Sequence, residues 1–82
     1  MKKYAVEQGN MNSMGIGDTF RVGTFDTLSN AQKCMRAIYN DTKGYTKYPN
    51  GFIETFIIEI DTDNEDYFDI VESMRHYYYK GR

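Results

Sequence analysis

The chain has 82 residues, of which 40% are hydrophobic and 27% charged, with a net charge of −2 and a pI near 5.2. This length allows one domain, spanning 1–82, that buries roughly 60–65% of the surface its unfolded form exposes. The totals exclude a disordered chain, a strongly basic nucleic-acid binder and, with Cys34 the only cysteine, an internal disulfide or Cys-rich metal site.

The opening residues Met1-Lys2-Lys3-Tyr4-Ala5-Val6-Glu7 lack the apolar run of a signal peptide, and no stretch approaches the about 20 apolar residues of a membrane span. The expected location is a reducing cytoplasm, with no membrane partner. Tyr4-Ala5-Val6-Glu7 reads as a first strand. Residues 9–18 hold three glycines and two asparagines and read as a flexible connection longer than a tight hairpin. Thr19 to Phe25 alternates Phe20 and Val22 with Thr19 and Arg21, the period of a half-buried second strand pairing antiparallel with the first.

Thr27 is placed to cap a helix, because its oxygen can satisfy an unpaired N–H of the first turn. Leu28, Ala31, Met35 and Ile38 then recur at spacings of three and four, which predicts one apolar helical face with Cys34 beside it. Asn40 to Gly44 ends that helix, and Gly44 to Gly51 forms a loop with a Pro49-Asn50-Gly51 turn. Phe52 to Ile60 is the strongest strand signal in the chain. Phe52, Phe56, Ile58 and Ile60 share one parity, broken by Glu54, which places the strand centrally or against a covered face.

Thr62-Asp63-Asn64-Glu65 has the spacing of a capping box, and Tyr67, Ile70, Val71, Met74 and Tyr77 or Tyr78 recur at helical intervals. This predicts a second helix, acidic at its start and basic at its end. The expected fold is therefore α+β with element order β-β-α-β-α: a three-stranded antiparallel sheet of order 2-1-3 and two helices on one face. The other face, or an edge, is left open, where small binding modules dimerise or capture partners.

No constellation in the sequence specifies catalysis. Asp61 to Glu65 superficially resembles half a calcium loop. A calcium loop needs glycine at its sixth position and a bidentate Glu at its twelfth. Here the sixth is Asp66, and the twelfth, Glu72, falls within the predicted helix. Gly15-Ile16-Gly17 precedes a strand and lacks the strand-to-helix context of a phosphate cradle. Cys34 lies beside an apolar face, and the one histidine, His76, is far along the chain. The expectation is a non-enzymatic protein with no catalytic residue, metal or cofactor.

Aromatic residues make up 16% of the chain, with eight Tyr and five Phe. Two sets combine rings with cations: Lys33, Arg36, Tyr39, Lys43, Tyr45, Lys47 and Tyr48 on the first helix and its loop, and Arg75, Tyr78, Tyr79 and Lys80 at the end. A solvated face and a helix terminus account for the cations. The tyrosines are less well explained, and at the chain's end Tyr77, Tyr78 and Tyr79 are consecutive and cannot all share one helical face. Rings beside cations can form a protein hot spot or stack exposed bases. Residues 54–72, by contrast, carry eight acids and no Lys or Arg.

The run Val22-Gly23-Thr24-Phe25-Asp26-Thr27-Leu28-Ser29-Asn30-Ala31 resembles a strand–cap–helix module common in small accessory proteins of phages and mobile elements. The chain is similar in style to phage proteins that block host defences, including inhibitors of toxin–antitoxin ribonucleases. That resemblance implies an inhibitor that occludes a host protein in the host cytoplasm. A second reading is an RNA-binding module using the basic-aromatic residues, and a third is a self-assembling structural protein, a homo-oligomer paired through a strand or an open face.

Overall fold

A computed structural model describes residues 1–42 and 51–77. Lys43, Tyr45, Lys47, Tyr48, Tyr78, Tyr79 and Lys80 lie outside the described residues, as does most of the Pro49-Asn50-Gly51 turn. In chain order the elements are β1 (Lys2–Met11), β2 (Gly17–Phe25), α1 (Leu28–Thr42), β3 (Phe52–Asp61) and β4 (Asn64–Tyr77). The strands form one antiparallel sheet in the order β2-β1-β3-β4.

The predicted arrangement of three strands and two helices is corrected to four strands and one helix, because Asn64–Tyr77 is a strand. The residues read as a capping box are turn formers. Asp63 N–H donates to Asp61 Oδ1 at 2.9 Å, and Asp66 N–H donates to Asn64 Oδ1 at 3.1 Å. These short side chains bond the backbone two residues on, which closes a turn instead of starting a helix. Asp61 pairs with Asn64 across it. The helical spacing also has a cause. Ile58 pairs with Ile70 but Ile57 pairs with Glu72, so Val71 is an extra residue in a β-bulge. One inserted residue shifts the alternation, and positions 67, 70, 71 and 74 then mimic a helical period.

The first connection is also tighter than the sequence suggests. β1 runs on to Met11 and β2 begins at Gly17. Between them Asn12 Oδ1 accepts from Met14 N–H at 2.9 Å and Ile16 N–H at 3.1 Å, while Asn12 N–H donates to Ile16 O at 2.9 Å. Gly15 sits at φ +81°, a left-handed conformation that glycine adopts without penalty. A second bulge, at Val22, lies where Val6 pairs with Gly23 and Glu7 with Arg21.

The connection β2-α1-β3 crosses over β1, and this lays α1 across the middle of the sheet. Asn30 N–H donates to Thr27 Oγ1 at 3.2 Å, the N-terminal cap of α1. Ala31 and Met35 face Val6 and Ile57, and all four are fully buried. Tyr4, Phe25, Cys34, Ile38 and Met74 pack around them. Burying a side chain such as Ile57 contributes about 1.5–3 kcal/mol. Gln8 and Thr55, also buried, bond each other at 3.1 Å, so these polar groups are not left unpaired. Gln32 Nε2 reaches Glu72 Oε1 at 2.8 Å and ties α1 to β4. No helix among the described residues is long and apolar enough to cross a membrane.

Candidate binding face

Side chains alternate across a strand, so the position of α1 assigns every residue of β3 to a face. Ile53, Thr55, Ile57 and Glu59 lie on the helix side. Phe52, Glu54, Phe56, Ile58 and Ile60 point to the opposite side. The register carries this assignment across the sheet: Ile58 pairs with Ile70 and Ala5, Ile60 with Phe68 and Lys3, and Phe56 with Ser73 and Glu7. Among the described residues no helix covers the parity richest in apolar side chains, and at one end of that face Phe52 and Met11 are nonetheless buried. Phe68 is 66% exposed and Ile70 56%, while Phe56, Ile58 and Ile60 are half-buried.

This apolar ribbon is bordered by paired ions. On one side Arg21 Nε and Nη2 donate to Glu7 Oε2 at 3.0 and 2.9 Å. At the far end Arg75 Nη2 donates to Glu54 Oε2 at 3.0 Å, with its guanidinium 4.2 Å from the centre of the Phe52 ring. Exposed pairs of this kind add little stability, but they fix the long side chains in place. Two hollows open along the ribbon. One, of about 370 Å³, is walled by Arg21, Ile58, Ile60, Asp61, Glu65, Tyr67 and Phe68, and so reaches round the hairpin end of the sheet. The other, of about 240 Å³, is walled by Met11, Glu54, Phe56, Ile70 and Ser73. Each combines apolar walls with a few polar groups, the usual make-up of a surface that takes an anchoring side chain.

A polar cluster lies on the other face, beyond the Val6–Ile57 pair. Tyr67 OH donates to Glu59 Oε1 at 2.6 Å, and Lys2 Nζ stands 3.5 Å from the centre of the Tyr67 ring and 3.8 Å from Glu59 Oε1. The hydroxyls of Tyr67 and Tyr4 hold the Glu59 carboxyl below its ordinary range, and their bonds to that carboxylate push both phenols up. Asp61 is held down chiefly by its bond from the amino group of Met1. This network ties β1, β3 and β4 together with its charges already matched.

Among the described residues no group of three His, Cys, Asp or Glu side chains could hold a metal ion. Cys34 is half-buried, and burial pushes its thiol up, away from the reactive thiolate.

Of the basic-aromatic residues, only Lys33, Arg36, Tyr39 and Arg75 fall within the described residues, and these do not share one surface. Lys33 and Arg36 are exposed on α1, with Tyr39 half-buried one turn further on. Arg75 lies on the open face, with the thickness of the sheet between it and the helix. The apolar ribbon was not among the residues expected to bind. Its signal was the shared parity of Phe52, Phe56, Ile58 and Ile60, which only the position of α1 could assign to the uncovered side.

No family model, curated protein or solved structure matches this chain.

Proposed function

We propose that this chain is a non-enzymatic binding protein that acts by stoichiometric occupation of another protein, and that it grips its partner with the open face of the sheet. The observation that carries this reading is the uncovered ribbon of Phe56, Ile58, Ile60, Phe68 and Ile70. An apolar ribbon edged by fixed ion pairs has the anatomy of a protein interface, with a dry centre and a polar rim. Phe68 and Ile70, each more than half exposed, give this ribbon apolar surface of the kind that marks an interaction site. The resemblance to phage accessory proteins makes a host defence or toxin protein the partner class.

The test is affinity capture from host lysate, with and without RNase, using the natural chain and Phe68→Asp. The expected result is a protein captured in both conditions by the natural chain and lost with Phe68→Asp. Capture that survives Phe68→Asp would overturn this choice of face. Capture abolished by RNase would move the function to RNA and to the cations Lys33 and Arg36.

A further inference from the structure

We propose that, until a partner takes it, the open face is covered by a second copy of this chain, packed sheet on sheet about a two-fold axis. The proposal rests on the reading of that face as the working surface, and it supplies a regulation: partner capture has to displace a copy of the chain itself.

Among the described residues the largest side chains buried to below 2% exposure are Met35, Ile57, Val6 and Thr55. A chain this short has little hydrophobic stabilisation in reserve, and oligomerisation is a common remedy. A sheet covered on one side only is half of a two-layer sandwich. The occupant present wherever the chain is made is another copy of it, and closed two-fold dimers are the commonest assembly.

β1 and β3 each have ten residues. Strands of that length in a four-stranded sheet present a face about 33 Å by 19 Å, a projected area on the order of 600 Å². Two such faces clear the roughly 1,000 Å² that a specific interface needs.

The rim ions come as the neutral pairs Glu7–Arg21 and Glu54–Arg75, so two copies of the face meet without like-charge repulsion. A two-fold axis lying between the sheets and perpendicular to the strands sets the acidic hairpin end of one copy, with Glu65 and Asp66, over the neutral Glu54–Arg75 pair of the other. The same operation sets protruding Phe68 over the hollow walled by Met11, Glu54, Phe56, Ile70 and Ser73. Assembly along the strand edges is disfavoured. Both edge strands carry a bulge, at Val22 and Val71, and β4 carries Glu65, Asp66, Asp69 and Glu72.

The experiment is mass in solution by sedimentation across a wide concentration range, for the natural chain, Phe68→Asp and Ser73→Arg, with circular dichroism as the check on folding. The expected result is twice the chain mass for the natural protein, and the single-chain mass with an unchanged spectrum for both variants. A natural protein that keeps the single-chain mass at the highest concentration overturns the proposal. So does a dimer that persists in both variants. If the natural chain is monomeric yet Phe68→Asp abolishes partner capture, only the dimer falls. If Phe68→Asp dissolves the dimer but leaves capture intact, only the partner reading falls.

Discussion

Ile57 and Ile70 are β-branched residues of the same type on neighbouring strands, one beneath α1 and the other on the open face. Ile57 is fully buried against Val6, Ala31 and Met35, and Ile70 is 56% exposed. Ile57→Ala removes buried carbons and leaves a cavity, a change that costs about 2–5 kcal/mol. A domain of this size has a total stability of about 4–12 kcal/mol at typical per-residue values, so the variant stands near the edge of folding. A loss of about 3 kcal/mol lowers the midpoint of thermal unfolding by roughly 12–24 °C. Ile70→Ala removes carbons already half in water and leaves no closed cavity, so its cost stays below about 1 kcal/mol. Both changes replace a β-branched residue in a strand with alanine, so the propensity penalty largely cancels between them. Urea unfolding at low protein concentration measures both, and an unchanged slope with a shifted midpoint marks a pure stability effect. Equal costs for the two variants would refute the assignment of the faces, and with it the case for an open apolar surface.

Acid should destabilise the protein partly through Glu59. Its carboxyl is lowered by the Tyr67 and Tyr4 hydroxyls, so its stabilising contribution is present above the unfolded value of about 4.3 and is lost as pH falls through the folded value. Thermal midpoints measured against pH should therefore show the natural chain's advantage over Glu59→Gln shrinking below about pH 4. A constant difference across that range would remove Glu59 from the account. At Gly17, a Cβ would run into the Asn10 carbonyl on the paired strand. Gly17→Ala should cost more than about 1 kcal/mol, because a backbone atom has to give way. Amide exchange should quicken around Asn10 and Met11, and protection equal to that of the natural chain would argue against the close pairing at this end of β1.

Much of this fold was legible locally. The cap at Thr27, the apolar stripe of Ala31, Met35 and Ile38, and the run from Phe52 to Ile60 each carry one consistent period, and each forms the element that its period implies. β4 was not legible because Val71 interrupts its alternation. A bulged strand with apolar residues on both sides of the extra position has the spacing of a helix. Its content of Tyr67, Phe68, Ile70 and Val71 favours a strand, and that composition was the better guide. The candidate face was half visible. Parity grouped Phe56, Ile58 and Ile60, but a single strand does not say which side a helix will cover. That depends on the crossover of β1 by α1, a property of the whole chain.

The same crossover sets the order in which the molecule can assemble. The pairs β1–β2 and β3–β4 join across short turns and can form early, since closing a short loop loses little chain entropy. The central junction is different. Met11 meets Phe52 and Lys2 meets Asp61 only after the whole of β2 and α1 has been enclosed between them. Two hairpins therefore wait for one long-range zipper, and folding should be governed by that zipper more than by any local element. Val6→Ala, at the centre of the zipper, should slow folding, whereas truncation of Phe68 near the hairpin tip should act mainly on unfolding.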